Sequence, residues 1–417
     1  MEELFQMEEV RERVILVGVS TQEGDDTEDS LEELAELVAT AGAEAVGCVI
    51  QNREAVHPGT YVGTGKLQEI RELLWETDAT GIVCDDELTP AQLRNMEDVL
   101  DTKIMDRTLI ILDIFAARAS TSEGKIQVEL AQLRYRLSRL AGLGKSLSRL
   151  GGGIGTRGPG EKKLETDRRF VKNRIAQLNR ELRDVRRHRD LTREQRKKNP
   201  TKSAAIVGYT NAGKSTLLNV LTAAGVLSED KLFATLDPTT RKLTLDSGQE
   251  ILLTDTVGFI RKLPHHLIEA FRSTLEEAKY ADYIIHMVDV SNPQMEKQMH
   301  IVYETLDSLE AGDKKVITLF NKIDRQESGT EQLLRDGRAE RTLRISARTG
   351  EGLSKLRALL EEMLREDKKL LEKVFRYEDA GQIQLVRRFG ELLTEEYQED
   401  GIYVKAYVPE EIYQKVW

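Results

Sequence analysis

Short apolar runs and helically spaced apolar positions alternate over the first 118 residues of the chain. The strand-like runs begin near residues 13, 44, 80 and 102, and the helical patterns cover residues 28–41, 65–76 and the stretch from Pro90. Strands that alternate with helices are typical of a parallel sheet with helical crossovers. The pattern therefore predicts a small α/β domain over residues 1–121.

Apolar residues recur at spacings of four and three in the next segment. They form two series: Ile126, Leu130, Leu133, Leu137 and Leu140, and then Val171, Ile175, Leu178, Leu182 and Val185. Such spacing predicts two helices that pack on each other. Between them, GGGIGTRGPG at residues 151–160 cannot continue a helix. Residues 122–200 are therefore predicted to form an antiparallel helical hairpin with a Gly-rich tip that carries Arg157.

The last two segments differ in size. Strand-like runs near residues 203, 242, 250, 282, 315 and 342 have helical patterns between them and a closing helix from Leu353. This predicts a doubly wound α/β domain over residues 201–368. Residues 369–417 are interpreted as a small β-α-β domain, with a helix from Gln382 to Tyr397 and a strand from Ile402.

Charge is distributed unevenly along the chain. The whole sequence carries 61 Lys and Arg against 72 Asp and Glu, a formal net charge of −11. Residues 122–200 hold 22 Lys and Arg against 9 Asp and Glu, so this segment is +13 and the remainder is −24. A solvated helix surface usually mixes both signs, whereas a one-sided excess indicates polyanion binding. We therefore expect the hairpin to bind RNA or another polyanion.

Cysteine content and hydropathy exclude several classes of protein. Cys48 and Cys84 are the only cysteines, and both lie in apolar strand-like runs typical of a core, not of a disulfide or a zinc site. The longest apolar runs are interrupted by charge, and the acidic N-terminus lacks the apolar stretch of a signal peptide. We expect a cytoplasmic protein without stable membrane insertion.

The main chemical motif is GYTNAGKS at residues 208–215, between an apolar strand and an apolar helix. It fits G-x-x-x-x-G-K-S/T, a loop whose backbone amides and following helix N-terminus bind phosphate. The predicted phosphate contacts are Gly208, Tyr209, Thr210, Asn211, Ala212, Gly213, Lys214, Ser215 and Thr216.

A second glycine-rich sequence, Gly63-Thr64-Gly65-Lys66, lacks this pattern. A phosphate loop would need glycine at Thr60 and serine or threonine at Leu67. A tight strand-to-helix turn is favoured here, with an anion contact as the alternative.

Four more polar motifs follow at the predicted carboxyl ends of strands, where an open α/β sheet binds ligands. They are LFATLDPTTR at residues 232–241, DTVG at 255–258, NKID at 321–324, and Ser346-Ala347. The carboxylate of Asp324 can accept hydrogens from N1 and N2 of guanine, which adenine lacks, so the expected ligand is GTP or GDP. The further predicted nucleotide contacts are Phe233, Ala234, Thr235, Asp255, Gly258, Asn321, Lys322, Asp324, Ser346 and Ala347.

With these motifs, residues 203–366 resemble a translational-factor-class GTPase, with a P-loop GTPase fold. The resemblance implies that Lys214 neutralises the β- and γ-phosphates, while Ser215 and Asp255 hold Mg²⁺. One threonine of the 235–240 loop would complete the metal shell, and the FATL match favours Thr235. The catalytic residues implied are Lys214, Thr235 and Gly258.

Two positions bear on the rate of hydrolysis. Phe259 stands where many small GTPases have a glutamine that orients the attacking water, so slow intrinsic hydrolysis is expected. Asn211 in the phosphate loop resembles the asparagine of GTPases that recruit K⁺, although a turn-stabilising asparagine is an equal alternative.

The whole chain resembles the HflX-type GTPases. The resemblance rests on YVGTGK, on GGGIGTRGPGEKKLETDRR at residues 151–169, and on the FATLDPTTR, DTVGFI and NKID motifs. It implies a monomer, activated by ribosomes, that binds the large (50S) ribosomal subunit and its rRNA and splits or rescues stalled or idle 70S ribosomes under stress. The implied RNA contacts are Arg157, Lys162, Lys163, Arg168 and Arg169, of which Lys162 and Lys163 depart from many relatives.

Two other functions remain open from the sequence. One is a cation-dependent GTPase that acts in RNA or tRNA modification, although such proteins usually need a C-terminal cysteine motif and no cysteine follows Cys84. The other is an RNA remodeller whose GTPase domain only senses nucleotide, against which the intact set of Lys214, Ser215 and Asp255 argues.

Overall fold

The structure, a computed structural model, divides into two compact units. The first comprises residues 1–185, 231–233 and 261–271, and the second comprises the rest of the chain. The residues described are 11–21, 25–147, 159–197, 201–222, 232–264, 267, 277–326, 334–366 and 368–417.

The first unit begins with a four-stranded parallel sheet in the order β2-β1-β3-β4. Its strands are β1 (Arg13–Ser20), β2 (Glu44–Asn52), β3 (Gly81–Cys84) and β4 (Lys103–Asp106). Its helices are α1 (Thr27–Thr40), α2 (Thr64–Glu76), α3 (Pro90–Leu100) and α4 (Arg107–Arg118). Apolar side chains such as Ile15, Val17 and Ile82 are fully buried in its core. The observed parallel α/β arrangement agrees with the alternating sequence pattern.

Two long helices follow, α5 (Ser122–Leu147) and α6 (Pro159–Lys197). Leu130 of α5 packs with Leu178 and Leu182 of α6, as the four-three spacing predicts. Arg174 of α6 also donates to Glu129 of α5 at 2.7 Å. The two helices therefore pack on each other over the described part of the hairpin.

The middle of α5 is hydrogen-bonded to the end of β4 in the first sheet. The Tyr135 hydroxyl donates to Asp106 at 2.7 Å, and Arg139 pairs with the same buried carboxylate. At the far end, α6 begins at Pro159, so the last two residues of the predicted tip are helical. The rest of that tip, including Arg157, lies outside the described residues.

The second unit contains a six-stranded sheet in the order β10-β9-β8-β5-β7-β6, in which only the β6–β7 pair is antiparallel. The strands are β5 (Lys202–Gly208), β6 (Thr239–Thr244), β7 (Glu250–Asp255), β8 (Tyr283–Asp289), β9 (Lys315–Asn321) and β10 (Arg341–Arg344). Among the described residues, its helices include α7 (Lys214–Thr222), α8 (Met295–Ser308) and α9 (Leu353–Glu366). Because β5, β7, β8 and β9 are parallel, their carboxyl ends share one edge of the sheet.

The C-terminal segment has one more strand and one more α-helix than the predicted β-α-β arrangement. It contains β11 (Lys368–Phe375), α10 (Ala380–Phe389), β12 (Glu391–Gln398), β13 (Gly401–Pro409) and α11 (Glu410–Val416), with an antiparallel sheet in the order β11-β13-β12.

The helix predicted from Gln382 to Tyr397 is wrong beyond Phe389. Gly390 is extended and ends α10, and a Cβ at this position would lie 2.9 Å from the carbonyl oxygen of Tyr407. The following residues pair with β13 instead. Pairing with β13 satisfies the backbone hydrogen bonds of these residues, and this tertiary contribution outweighs the helical preference of the isolated segment.

No helix in the described part of the chain is long and apolar enough to span a membrane.

Candidate functional site

The phosphate loop connects β5, which ends at Gly208, to α7, which begins at Lys214. Asn211 and Gly213 both adopt left-handed backbone angles, with φ of 61° and 96°. A Cβ at Gly213 would lie only 2.4 Å from Nδ2 of Asn321, so this position requires glycine for space as well as for φ. The hydroxyl oxygen of Thr210 is buried and has no hydrogen-bond partner within the protein. This buried oxygen can accept or donate a bond to a ligand in the loop.

Lys214 is buried at the base of the loop. Its ammonium donates to the carbonyl oxygens of Tyr209 at 2.7 Å and Gly208 at 3.3 Å. Burial lowers its pKa to about 8, with a smaller contribution from the charge of Lys322, against the opposing charge of Asp255. A bound phosphate would supply a negative charge next to this buried cation and favour its protonated form.

Three oxygen-bearing side chains converge beside Lys214. The Ser215 hydroxyl donates to Oδ2 of Asp255 at 2.6 Å and lies 2.8 Å from Oγ1 of Thr235. Burial raises the pKa of Asp255, against the charge of Lys214 and the bonds from both hydroxyls. Its second oxygen, Oδ1, is buried without a protein partner.

This donor set fits magnesium. Mg²⁺ prefers hard oxygen ligands and is usually held by one or two carboxylates together with phosphate oxygens and water. The unpartnered Oδ1 of Asp255 is the kind of buried acceptor that a cation or its bound water would satisfy. Ser215, Thr235 and Asp255 are therefore the residues that would hold Mg²⁺ here.

The NKID motif lies at the end of β9, and its first residue, Asn321, is hydrogen-bonded to two loops. Asn321 donates to the carbonyl oxygen of Ala212 at 2.8 Å and accepts from the amide of Ala347 at 2.9 Å. It therefore joins the phosphate loop to the Ser346-Ala347 turn. Because both of its bonds are made to backbone, its main effect is to fix the distance between the two loops.

Lys322 adopts a left-handed backbone with φ of 65°, and its ammonium pairs with Asp289 at 2.7 Å. The sequence interpretation missed Asp289. The signal that could have found it is its position, since it ends an otherwise buried strand at the same edge as the other motifs.

Asp324 is exposed, and its Oδ1 accepts from the Ser346 hydroxyl at 2.6 Å. That hydrogen bond holds the pKa of this carboxyl below its ordinary value, so it is ionised at neutral pH. Ser346 is fixed in turn by the amide of Thr349 at 3.1 Å. An oriented, ionised carboxylate at this place can accept the two hydrogens of a guanine edge.

The DTVGF segment (residues 255–259) lies against the phosphate loop. The amide of Phe259 donates to the carbonyl oxygen of Gly208 at 3.1 Å, and the amide of Thr210 donates to the carbonyl oxygen of Phe259 at 2.8 Å. A Cβ at Gly258 would lie 2.8 Å from Thr210 and 3.0 Å from the Lys214 ammonium, so only glycine fits there. The Phe259 ring is buried and offers no polar group to a water molecule.

The predicted residues outside this constellation differ in placement. The Phe233 ring is buried and makes an edge contact with Phe115 of α4, with 4.7 Å between ring centroids, so its side chain is used in packing. Arg168 and Arg169 are exposed on α6. Lys162 and Lys163 lie within α6, but their side chains are outside the described residues.

Three family models match successive parts of the chain. Residues 28–116 match the GTP-binding GTPase N-terminal model, and residues 118–196 match the GTP-binding GTPase middle-region model. Residues 203–322 match a model described as 50S ribosome-binding GTPase.

Several proteins named GTPase HflX are similar over most of their length. The protein from Lacrimispora saccharolytica is 67% identical over 99% of this chain and 97% of its own. That from Caldanaerobacter subterraneus is 49% identical over 97% of this chain and 93% of its own. The protein from Escherichia coli K12 is 42% identical over 87% of this chain and 85% of its own.

Proposed function

Because the chain belongs to the HflX family of GTPases, we propose that it binds the large ribosomal subunit and, in its GTP cycle, splits or rescues stalled and idle 70S ribosomes under stress. The nucleotide site would control the cycle, and the basic middle region would contact ribosomal RNA. The description of the family model over residues 203–322 as a 50S ribosome-binding GTPase supports this choice of partner.

The main support for RNA binding is the surface of α6. One face of this helix, with Ile175, Leu178 and Leu182, packs on α5. The described side chains outside that face include six exposed cations: Arg168, Arg169, Lys172, Arg180, Arg183 and Arg187. Among the same described side chains, three exposed carboxylates accompany them: Glu165, Asp167 and Asp184. A helix with one buried face and an excess of exposed cations suits the phosphate backbone of RNA.

Within the nucleotide site, each residue has a distinct task. Lys214 and the loop amides would bind the β- and γ-phosphates, while Ser215, Thr235 and Asp255 would hold Mg²⁺, which neutralises phosphate charge when bound. Phe259 cannot orient a water molecule. Hydrolysis by the isolated protein is therefore slow and rises when a ribosomal group completes the site.

Sedimentation with large ribosomal subunits tests the RNA contact. The full-length protein is centrifuged with subunits in a non-hydrolysable GTP analogue, in GDP and without nucleotide, at several salt concentrations. Arg168→Gln combined with Arg169→Gln should weaken binding and reduce the logarithmic salt slope by about 1.4 to 1.8, since each lost phosphate contact removes roughly 0.7 to 0.9. The matched control replaces Lys297 and Lys355, exposed cations on α8 and α9, with glutamine.

Equal loss of binding in both double variants would show general charge attraction and contradict a specific role for α6.

Replacement of residues 151–160 by a short turn tests whether nucleotide binding can be separated from ribosome splitting. The shortened protein should bind GTP normally but fail to dissociate 70S ribosomes in a light-scattering assay. Dissociation at the unaltered rate would refute the proposed part of the hairpin tip.

A further inference from the structure

Two cations directly after the DTVGFI sequence belong to the first unit. Arg261 and Lys262 follow Ile260, at which the chain leaves the second unit. The Lys262 ammonium contacts Asp86 at 2.8 Å and also pairs with Asp85. Arg261 pairs with Asp26 at 3.1 Å and lies 3.8 Å from Glu33.

The carboxylates that these cations contact belong to a buried polar cluster in the N-terminal domain. Arg107, 1% exposed, donates to Glu33 at 2.6 Å and to Asp85 at 2.9 Å. The Ser30 hydroxyl donates to the second oxygen of Asp85 at 2.8 Å. Burial raises the pKa of Asp85, but the charges of Arg107 and Lys262 outweigh burial and hold it below its ordinary value.

The charge balance of this cluster depends on the two cations. The carboxylates of Asp26, Glu33, Asp85 and Asp86 face the three cations Arg107, Arg261 and Lys262. Without Arg261 and Lys262, the two carboxylates bonded to Arg107, Glu33 and Asp85, would share this one cation, and Asp85 is almost completely buried. Uncompensated buried charge is costly, so the cluster favours the conformation in which residues 261 and 262 are docked.

The docked residues are close in sequence to residues that, under the proposed function on which this inference rests, would bind the γ-phosphate and the metal. Gly258 is three residues before Arg261 and lies against the phosphate loop. The 232–240 loop has the same arrangement, because Phe233 packs on Phe115 of the first unit while Thr235, two residues later, lies beside Ser215. Two or three residues span at most about 7–11 Å when fully extended, so a larger displacement of the docked residues must also displace these site residues.

We propose that Arg261 and Lys262 are positioning residues that set the preference for GTP over GDP. By docking on the carboxylates of the N-terminal domain, they hold the DTVGF segment in the arrangement in which Thr235, Ser215 and Asp255 converge. This arrangement serves the γ-phosphate and the metal. The guanine base and the β-phosphate are bound elsewhere in the loop and the NKID motif, so GDP depends on it little. By thermodynamic reciprocity, GTP stabilises the docked cluster to the same extent.

The test compares dissociation constants of fluorescent GDP and of a fluorescent non-hydrolysable GTP analogue on the full-length protein. Arg261→Gln combined with Lys262→Gln should weaken binding of the analogue about five- to twentyfold, the lower part of the range of a typical coupling between sites, and alter GDP binding less than twofold. Unchanged GDP binding also shows that the variant is folded. Lys262→Arg, which keeps the charge, should retain most of the preference. Lys242→Gln is the matched control, since Lys242 forms an exposed pair with Glu250 at 2.7 Å within the second unit.

A double-mutant cycle assigns the effect to the cluster. Asp86 is partly exposed, so Asp86→Asn is expected to fold. The double variant, Asp86→Asn with Lys262→Gln, should change the ratio of GTP-analogue to GDP affinity by less than the product of the two single effects. A preference unchanged by loss of both cations would overturn the proposal. Fully multiplicative effects in the cycle would also overturn it, because the lysine would then act through some other contact.

Discussion

Replacement of Asp324 by asparagine should change the base that the protein prefers. The substitution keeps the size of the side chain and removes its charge. In the structure the carboxylate is exposed and ionised, and the Ser346 hydroxyl donates to its Oδ1 at 2.6 Å. Guanine presents two donors, at N1 and N2, and an amide offers one acceptor and one donor. Xanthine has an oxygen in place of the amino group, so it complements the amide.

The magnitude follows from the two hydrogen bonds to a charged group. Each contributes about 1.5–3 kcal/mol, about 3–6 kcal/mol together, and solvent screening at the exposed Asp324 reduces this to about 2–4 kcal/mol. At roughly 1.4 kcal/mol for each factor of ten, GTP should bind about 30- to 700-fold more weakly to Asp324→Asn. Binding of xanthosine triphosphate should improve by a factor of the same order.

Competition against a fluorescent nucleotide, with GTP, xanthosine triphosphate and ATP in turn, measures these changes. Ser346→Ala serves as the control, because it removes the orienting hydroxyl but leaves the charge. It should weaken GTP binding about fivefold, equivalent to roughly 1 kcal/mol, with no gain for xanthosine triphosphate. GTP affinity within threefold of the original in Asp324→Asn, or tight ATP binding by the unaltered protein, would refute guanine recognition by this carboxylate.

Two further predictions concern the phosphate loop. The pKa of Lys214 without nucleotide is about 8, and a bound phosphate should raise it. GDP affinity should therefore be constant below pH 8 and fall by up to tenfold per pH unit above it. Affinities measured by calorimetric titration that stay constant up to about pH 9.5 would contradict phosphate binding by this ammonium. If Asn211 recruits K⁺, Asn211→Gly should keep the left-handed backbone (φ 61°) and normal GDP binding yet lose any acceleration of GTP hydrolysis by K⁺ over Na⁺. Undiminished acceleration in that variant would leave Asn211 as a turn residue only.

Much of the fold could be predicted from the sequence because the signals are local. The phosphate loop is a contiguous motif between a strand and a helix, and the four-three spacing places Leu130 and Leu178 on facing helix surfaces. The positions of the four central strands of the six-stranded sheet, β5, β7, β8 and β9, follow from apolar runs that are largely buried where they pair. The convergence of Ser215, Thr235 and Asp255 was an expectation from resemblance, and the structure brings their oxygens together.

Contacts between distant residues could not be read in this way. Lys262 and Asp85 are 177 residues apart, and both look like ordinary surface charges in the sequence. The same holds for Lys322 and Asp289. The packing of the Phe233 ring on Phe115 was likewise not predicted from the sequence.

The residues after Phe389 show the limit most clearly. Local spacing favoured a continued helix, but the unpaired edge of β13 offered backbone partners that made this segment β12. The sequence by itself determined the motifs, the strand and helix periods and the segregation of charge, since each depends on neighbours along the chain. The choice of ion-pair partners and of the last sheet was left to the tertiary structure, because those energies depend on burial and on which distant groups meet.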